Sequence, residues 1–184
     1  QGLIDLDDGE RIRKDAHDEF QDIYDTIKEE EMPAASTVSR FVYNPEIVID
    51  KENTPVVGGE KITMVEGINR ALATEMQRDP RVVVFGEDVA DCSKDQNLPD
   101  VKGKGGVFKV THGLQARFGS TRVYNAPIAE SGIIGRAIGM AARGLRPVVE
   151  IQFFDYIWPA MNQIRSELAM MRWRSNNAFS CPVV

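Results

Sequence analysis

The sequence predicts an α/β fold: a parallel sheet with crossover helices, carrying an N-terminal helical and linker extension. Three observations predict it. Val82-Val83-Val84 is an unalternated apolar run, as in a strand covered on both faces. Arg122 to Tyr156 reads strand, acidic turn, small-residue helix, strand, polar turn, the about thirty residues of a right-handed parallel crossover. Glu87 and Glu130 each follow a strand closely, at the end where open parallel sheets bind ligands.

Composition sets the frame. The 184 residues hold one domain with a substantial appendage, and 42% hydrophobic with 27% charged residues is ordinary for a globular protein. Apolar runs fall well short of the roughly 20 residues of a membrane span, so no membrane association is expected. The net charge of −6 argues against nucleic acid as a partner. It is unevenly placed: residues 1–31 carry twelve Asp/Glu against four Lys/Arg. Cys92 and Cys181 make no disulfide framework and have no metal-ligand spacing, so no metal site is expected and a reduced, cytoplasmic setting is. The acidic start is unlike a signal or transit peptide, and Gln1 in place of Met suggests a chain processed or cut from something longer.

Residues 1–60 read as an acidic helix and a linker. Asp7-Asp8-Gly9-Glu10 looks like a helix start, and Ile12, Phe20, Ile23, Tyr24 and Ile27 give an apolar stripe up to Glu29-Glu30-Glu31 and Pro33. The face has no partner nearby in sequence. Residues 33–60 are broken by Pro, Ser, Asn and Gly, and Phe41-Val42-Tyr43 and Ile47-Val48-Ile49 read either as short edge strands or as pieces resting on the domain surface.

Residues 61–184 read as the compact domain. Thr63 and Glu66 have capping-box spacing, Val65, Ile68, Leu72 and Met76 form a stripe to bury, and Asp79-Pro80 ends the helix. The strand Arg81 to Phe85 runs into Gly86-Glu87-Asp88. A loop from Ala90 to Gly106 is longer than most connections, hence functional or mobile. Helices are expected near Thr111–Phe118, from Glu130 to about Arg143 with Gly144 as the stop, and from Pro159 to Trp173. Strands are expected at Arg122–Asn125 and Pro147–Phe153, and Cys181-Pro182-Val183-Val184 looks like the start of another.

Glu130 is the sharpest chemical candidate. Ile128, Ala129, Gly132, Ile133 and Ile134 around it are apolar or small, which predicts a carboxyl short of water. Desolvation raises a carboxyl pKa and suits it to acid–base work beside a ring nitrogen. The plain alternative is an exposed first-turn Glu favoured by the helix dipole. Glu87 stands likewise, as a turn acid or the second carboxyl of one crevice. Gln152 and Tyr156 flank the third strand's end; Tyr offers a flat face for a heteroaromatic ring, or is one aromatic among Phe153, Phe154 and Trp158. Gly132, Gly135 and Gly139 suggest close helix packing, within the chain or across a dimer axis. Lys102-Gly103-Lys104-Gly105-Gly106 lacks Walker spacing and reads as a solvated, flexible loop. His17 and His112 read as structural.

Several motifs occur in one order: Val84-Phe85-Gly86-Glu87-Asp88-Val89, Gly105-Gly106-Val107-Phe108, Arg122 through Glu130, and Glu150-Ile151-Gln152-Phe153-Phe154-Asp155-Tyr156-Ile157. Residues 61–184 in this respect resemble the beta subunit of the thiamin-dependent decarboxylating component of 2-oxoacid dehydrogenase complexes. The Ile151–Ile157 run and Arg172-Trp173-Arg174-Ser175 look closest to the branched-chain type. Residues 10–33 are similar to the acidic tail of that family's alpha subunit, so the chain looks like a piece spanning an alpha–beta fusion, truncated at its C-terminal end.

The resemblance implies a transketolase-like pyrimidine domain holding the aminopyrimidine of thiamin diphosphate. By the family pattern Glu130 hydrogen-bonds the ring nitrogen opposite the exocyclic amine. Ile128 and Tyr156 contact the pyrimidine with Gln152 nearby, and Glu87 serves proton communication between paired sites. Magnesium and the diphosphate belong to an alpha-type domain. The implied partners are that domain, a second beta-type domain, a lipoyl acyltransferase component and a 2-oxo acid, in a bacterial cytoplasm or a mitochondrial matrix. The piece alone is expected to be inactive. The loop between Val89 and Gly105 exceeds the family's usual length, which points to altered substrate or lipoyl access. Two rivals remain: a transketolase-like or deoxyxylulose-phosphate-synthase-like pyrimidine domain, which would accept sugar phosphates, and a non-catalytic assembly module, in which Glu130→Gln would be silent.

Overall fold

The computed structural model describes residues 5–46, 58–101 and 103–184. The chain divides into two units, Gln1–Arg40 and Phe41–Val184.

The first unit is built on α1, Leu6–Glu29. Asp5 caps it, its carboxylate accepting the Asp8 amide at 2.7 Å, and Asp7 and Asp8 complement the positive end of the helix dipole. The apolar stripe forms as expected but is not covered. Ile12, Phe20, Ile23, Tyr24 and Ile27 are each more than half exposed.

In the second unit Phe41-Val42-Tyr43 forms a turn, which leaves out the edge-strand alternative, because Phe41 takes a φ of 62°, outside strand geometry. Ile47-Val48-Ile49 lies outside the described residues. Helix α2, Met64–Arg78, is capped by Thr63, whose hydroxyl accepts the Glu66 amide at 3.2 Å. The Glu66 carboxylate does not reach back to complete the capping box; it pairs with Arg70 at 2.5 Å. Of the predicted stripe only Met76 is fully buried. Val65 and Ile68 stay exposed, because Ile68 and Leu72 border an open apolar groove of about 420 Å³ with Pro147, Val148 and Val183.

The sheet holds β1, Val82–Gly86, between β2, Val123–Asn125, and β3, Arg146–Glu150, all parallel. Every residue of β1 is buried, as its unalternated run requires. Between β1 and β2 lies α3, Leu114–Phe118, shorter than expected because Gly113 turns the chain at φ 75° just before it. Helix α4, Glu130–Ala142, links β2 to β3 across β1. It packs Ile133 and Ala137 on Phe85, and Ile134 and Ile138 against Ala160 and Val149. Phe85 also stacks on Tyr124 with ring centres 5.1 Å apart.

Strand β3 ends at Glu150, short of the expected Phe153, at the level of the last residue of β1. The expected final helix is three pieces: a 3-10 turn Phe154–Ala160 containing Pro159, a π-helical turn Gln163–Leu168, and α5, Met171–Arg174. The wider turn lets Ile164 and Leu168 pack with Ile134 and Ile138. The predicted strand at Cys181–Val184 shows as one rung. The Val149 amide donates to Val184 O at 2.8 Å and the Val184 amide to Pro147 O at 3.0 Å.

Candidate active site at the strand ends

Register places Gly86, Asn125 and Glu150 side by side at the carboxyl edge of the sheet. The chain leaves β1 toward β2 but leaves β3 toward the opposite side, where Val184 pairs. Such a divergence opens a crevice, here between β1 and β3, where open α/β sheets bind ligands. Gln152 spans it, its amide Nε2 donating to Glu87 Oε2 at 3.2 Å. The other end of that amide, Oε1, is buried without a hydrogen-bond partner.

Glu130 opens α4 half-buried, with its carboxyl within hydrogen-bonding reach of Glu87. Burial pushes the Glu87 pKa up, and the charge of Glu130 and the bond between the two push it further. Glu150 is pushed up too, by burial first and then by Asp88 and Glu87. A carboxyl that keeps its proton among other carboxyls can pass it to a ring nitrogen, and a buried amide oxygen suits an amine donor.

Glu87, Glu130 and Gln152, separate in sequence, are thus brought together. Tyr156 stands on the 3-10 turn, 47% exposed, edge-on to Phe153 with ring centres 5.5 Å apart. Ile128 is not drawn in: it is 82% exposed. The expected dry surround of Glu130 is corrected accordingly. Ile133 and Ile134 turn into the core, Ala129 and Gly132 are exposed, and Glu130 owes its half-burial to its place at the strand ends. The close helix packing suggested by Gly132, Gly135 and Gly139 is not made within the described chain: a Cβ there would meet only Ala129 or Gln163 at 3.6 Å or more, or nothing. Among the described residues no three metal-ligating side chains converge.

Residues that no motif marked hold this edge in shape. Asn125 Oδ1 accepts the Val89 and Ala90 amides at 2.9 and 2.8 Å, fixing the exit from β1. Gln115, 1% exposed, accepts the Asp91 and Cys92 amides and donates to Cys92 O and Ser120 Oγ. The Arg122 guanidinium donates to the carbonyls of Met76, Asp79 and Val82, closing the end of α2. In the Lys102–Gly106 run Gly103 and Lys104 are exposed, while at its end Gly105 and Gly106 are closely packed. Both have positive φ, and a Cβ would lie 2.4 Å from His112 Cα at the first and 2.6 Å from Asp88 O at the second. Only glycine admits that approach.

Parallel strands joined by a crossover helix, with paired acids at their carboxyl ends, define a class: an open α/β domain with its polar cluster at the topological switch point. The particular family follows from comparison. Residues 60–184 match the transketolase pyrimidine-binding domain, and the chain belongs to that family. Over 123 residues it is 50% identical to the 2-oxoisovalerate dehydrogenase subunit beta of Bacillus subtilis, covering 67% of this chain and 34% of that protein. The corresponding subunit of Pseudomonas aeruginosa is 48% identical over 66% of this chain and 31% of its own length. A pyruvate dehydrogenase E1 component subunit beta from Leifsonia xyli is 45% identical over 68% of this chain and 34% of its own length. The chain spans about a third of the length of these relatives.

Proposed function

We propose that residues 61–184 supply the aminopyrimidine side of a thiamin diphosphate site in a 2-oxoacid dehydrogenase of the branched-chain type, acting on 2-oxoisovalerate and passing the acyl group to a lipoyl component. One observation carries the reading: the half-buried Glu130 opens α4 at the β1/β3 crevice, within reach of a second carboxyl whose pKa is raised by burial and by Glu130 itself. The residues fit the group. An aminopyrimidine asks for an acid at one ring nitrogen and an acceptor for its amine, and Gln152 Oε1 is a buried acceptor without a partner.

When bound, thiamin diphosphate supplies the nucleophilic carbon for decarboxylation. Glu130 holds the proton at the ring nitrogen. Glu87, its pKa raised by burial and by Glu130, replenishes or drains that proton, and Gln152 fixes the Glu87 carboxyl. Tyr156 and Ile128, both exposed in this chain, give apolar contact to the ring. The exposure of that contact surface suits a site completed by an alpha-type domain, which would hold the diphosphate and magnesium. The 48–50% identity to two 2-oxoisovalerate dehydrogenase beta subunits supports the branched-chain assignment over pyruvate. A second beta-type domain completes the assembly, in a bacterial cytoplasm or a mitochondrial matrix.

The test is turnover of the intact enzyme carrying this chain, with 2-oxoisovalerate, pyruvate and a lipoyl domain. Glu130→Gln is expected to lower kcat by about 10²–10⁴-fold or more. Full activity in that variant overturns the acid–base role, and preference for pyruvate or a sugar phosphate overturns the substrate.

A further inference from the structure

Tyr156 needs something to hold it, since neither it nor Phe153 is packed into the core. The rings form a relay. Phe108 meets Phe153 edge to face with centres 5.5 Å apart and planes at 67°, and Phe153 meets Tyr156 in the same way at 5.5 Å and 69°. Phe108 is 50% exposed, so its place is not set by its own burial.

The backbone sets it. Phe108 stands on a turn that Gly106 presses against Asp88 at the exit of β1 and that Gly105 closes against His112, and no side chain fits at either glycine. Asp91 Oδ1 accepts the Lys104 and Gly105 amides at 2.6 and 3.1 Å, and the buried Thr111 hydroxyl donates to Val89 O at 2.7 Å. Both ends of the turn are therefore tied to the segment that directly follows Glu87. From this we infer that Phe108 is a positioning residue: it transmits the rigid exit of β1 through Phe153 to Tyr156 and so orients the ring that meets the cofactor. The inference rests on the pyrimidine-site reading above.

Edge-to-face ring contacts of this kind change a binding equilibrium by about two- to tenfold. In the intact enzyme with magnesium, Phe108→Ala is expected to weaken thiamin diphosphate binding about three- to tenfold by titration calorimetry. The KM for the cofactor should rise with it, while kcat at saturating cofactor stays within about twofold, because the acids are untouched. Phe108→Tyr keeps the ring and should restore binding. Val107→Ala, at an exposed neighbouring position, should bind like the parent. Parent-like binding by Phe108→Ala overturns the inference, and so does an equal loss in Val107→Ala. A parent enzyme that binds no thiamin diphosphate overturns instead the reading beneath it.

Discussion

Helices α1 and α4 invert the usual expectation. The first has 24 residues with a clean apolar stripe, and none of its side chains is buried. The second has 13, weakly patterned and broken by glycines, and it buries Ile133, Ile134, Ala137, Ile138 and Ala141. What separates them is connection. A crossover between parallel strands must lie on the sheet, so α4 is covered whatever its pattern. An amphipathic stripe at the edge of a chain shows only that a face exists.

The largest effect that sharpens the contrast is the loss of rate at Glu130, since α4 is where chemistry and packing meet. Next comes packing itself. Ile133→Ala, at 2% exposure, should lower stability by about 2–5 kcal/mol in a urea titration, whereas Ile23→Ala in α1 should stay within about 0.5 kcal/mol. Equal losses would show that α1 is covered after all. Smaller is Asp5→Ala, which removes the cap of α1 and should cost that helix about 1 kcal/mol, seen as lost ellipticity at 222 nm in far-ultraviolet circular dichroism. No loss would mean that the helix is held by contacts rather than by its own caps.

The smallest effect concerns the strand-end acids. The Glu87 pKa is raised on folding, so above the ordinary glutamate range the folded state holds a proton that the unfolded chain has released. Stability therefore falls as pH rises from that range through the raised value. Glu87→Gln should raise the thermal midpoint at neutral pH and leave it unchanged near about pH 3, well below the ordinary glutamate pKa, where both states are protonated. A gain of the same size at neutral pH and near about pH 3 would mean that the carboxyl's charge is not the cause.

The crossover from β2 to β3, the buried β1 and the acids after both strands were legible because each leaves a local mark: a run, a period or a turn. Residues acting at long range leave none. Asn125 reaches 36 residues back to Val89 and Arg122 46 back to Met76, and a polar side chain bonded to a distant backbone has no signature in its neighbours. The stripe of α2 was legible as apolar, but the open groove beneath it was not. Nor was the early end of β3, which stops where β1 no longer offers a partner. At the site, Glu130, Glu87 and Gln152 could be named singly from strand ends, but their convergence required the strand order.

One consequence of the tied stem at Asp91 concerns engineering. Gln115 clamps the outgoing amides of Asp91 and Cys92, and the Asp91 carboxylate clamps the returning amides of Lys104 and Gly105. What lies between is a closed bight whose two ends are fixed independently of its content. Changing the length of such a bight costs only about 0.6 kcal/mol per doubling. The exposed positions Ser93 and Lys94 are thus a natural port for an inserted tag, fluorophore or binding peptide, a few residues from the strand-end acids yet outside the clamped stem.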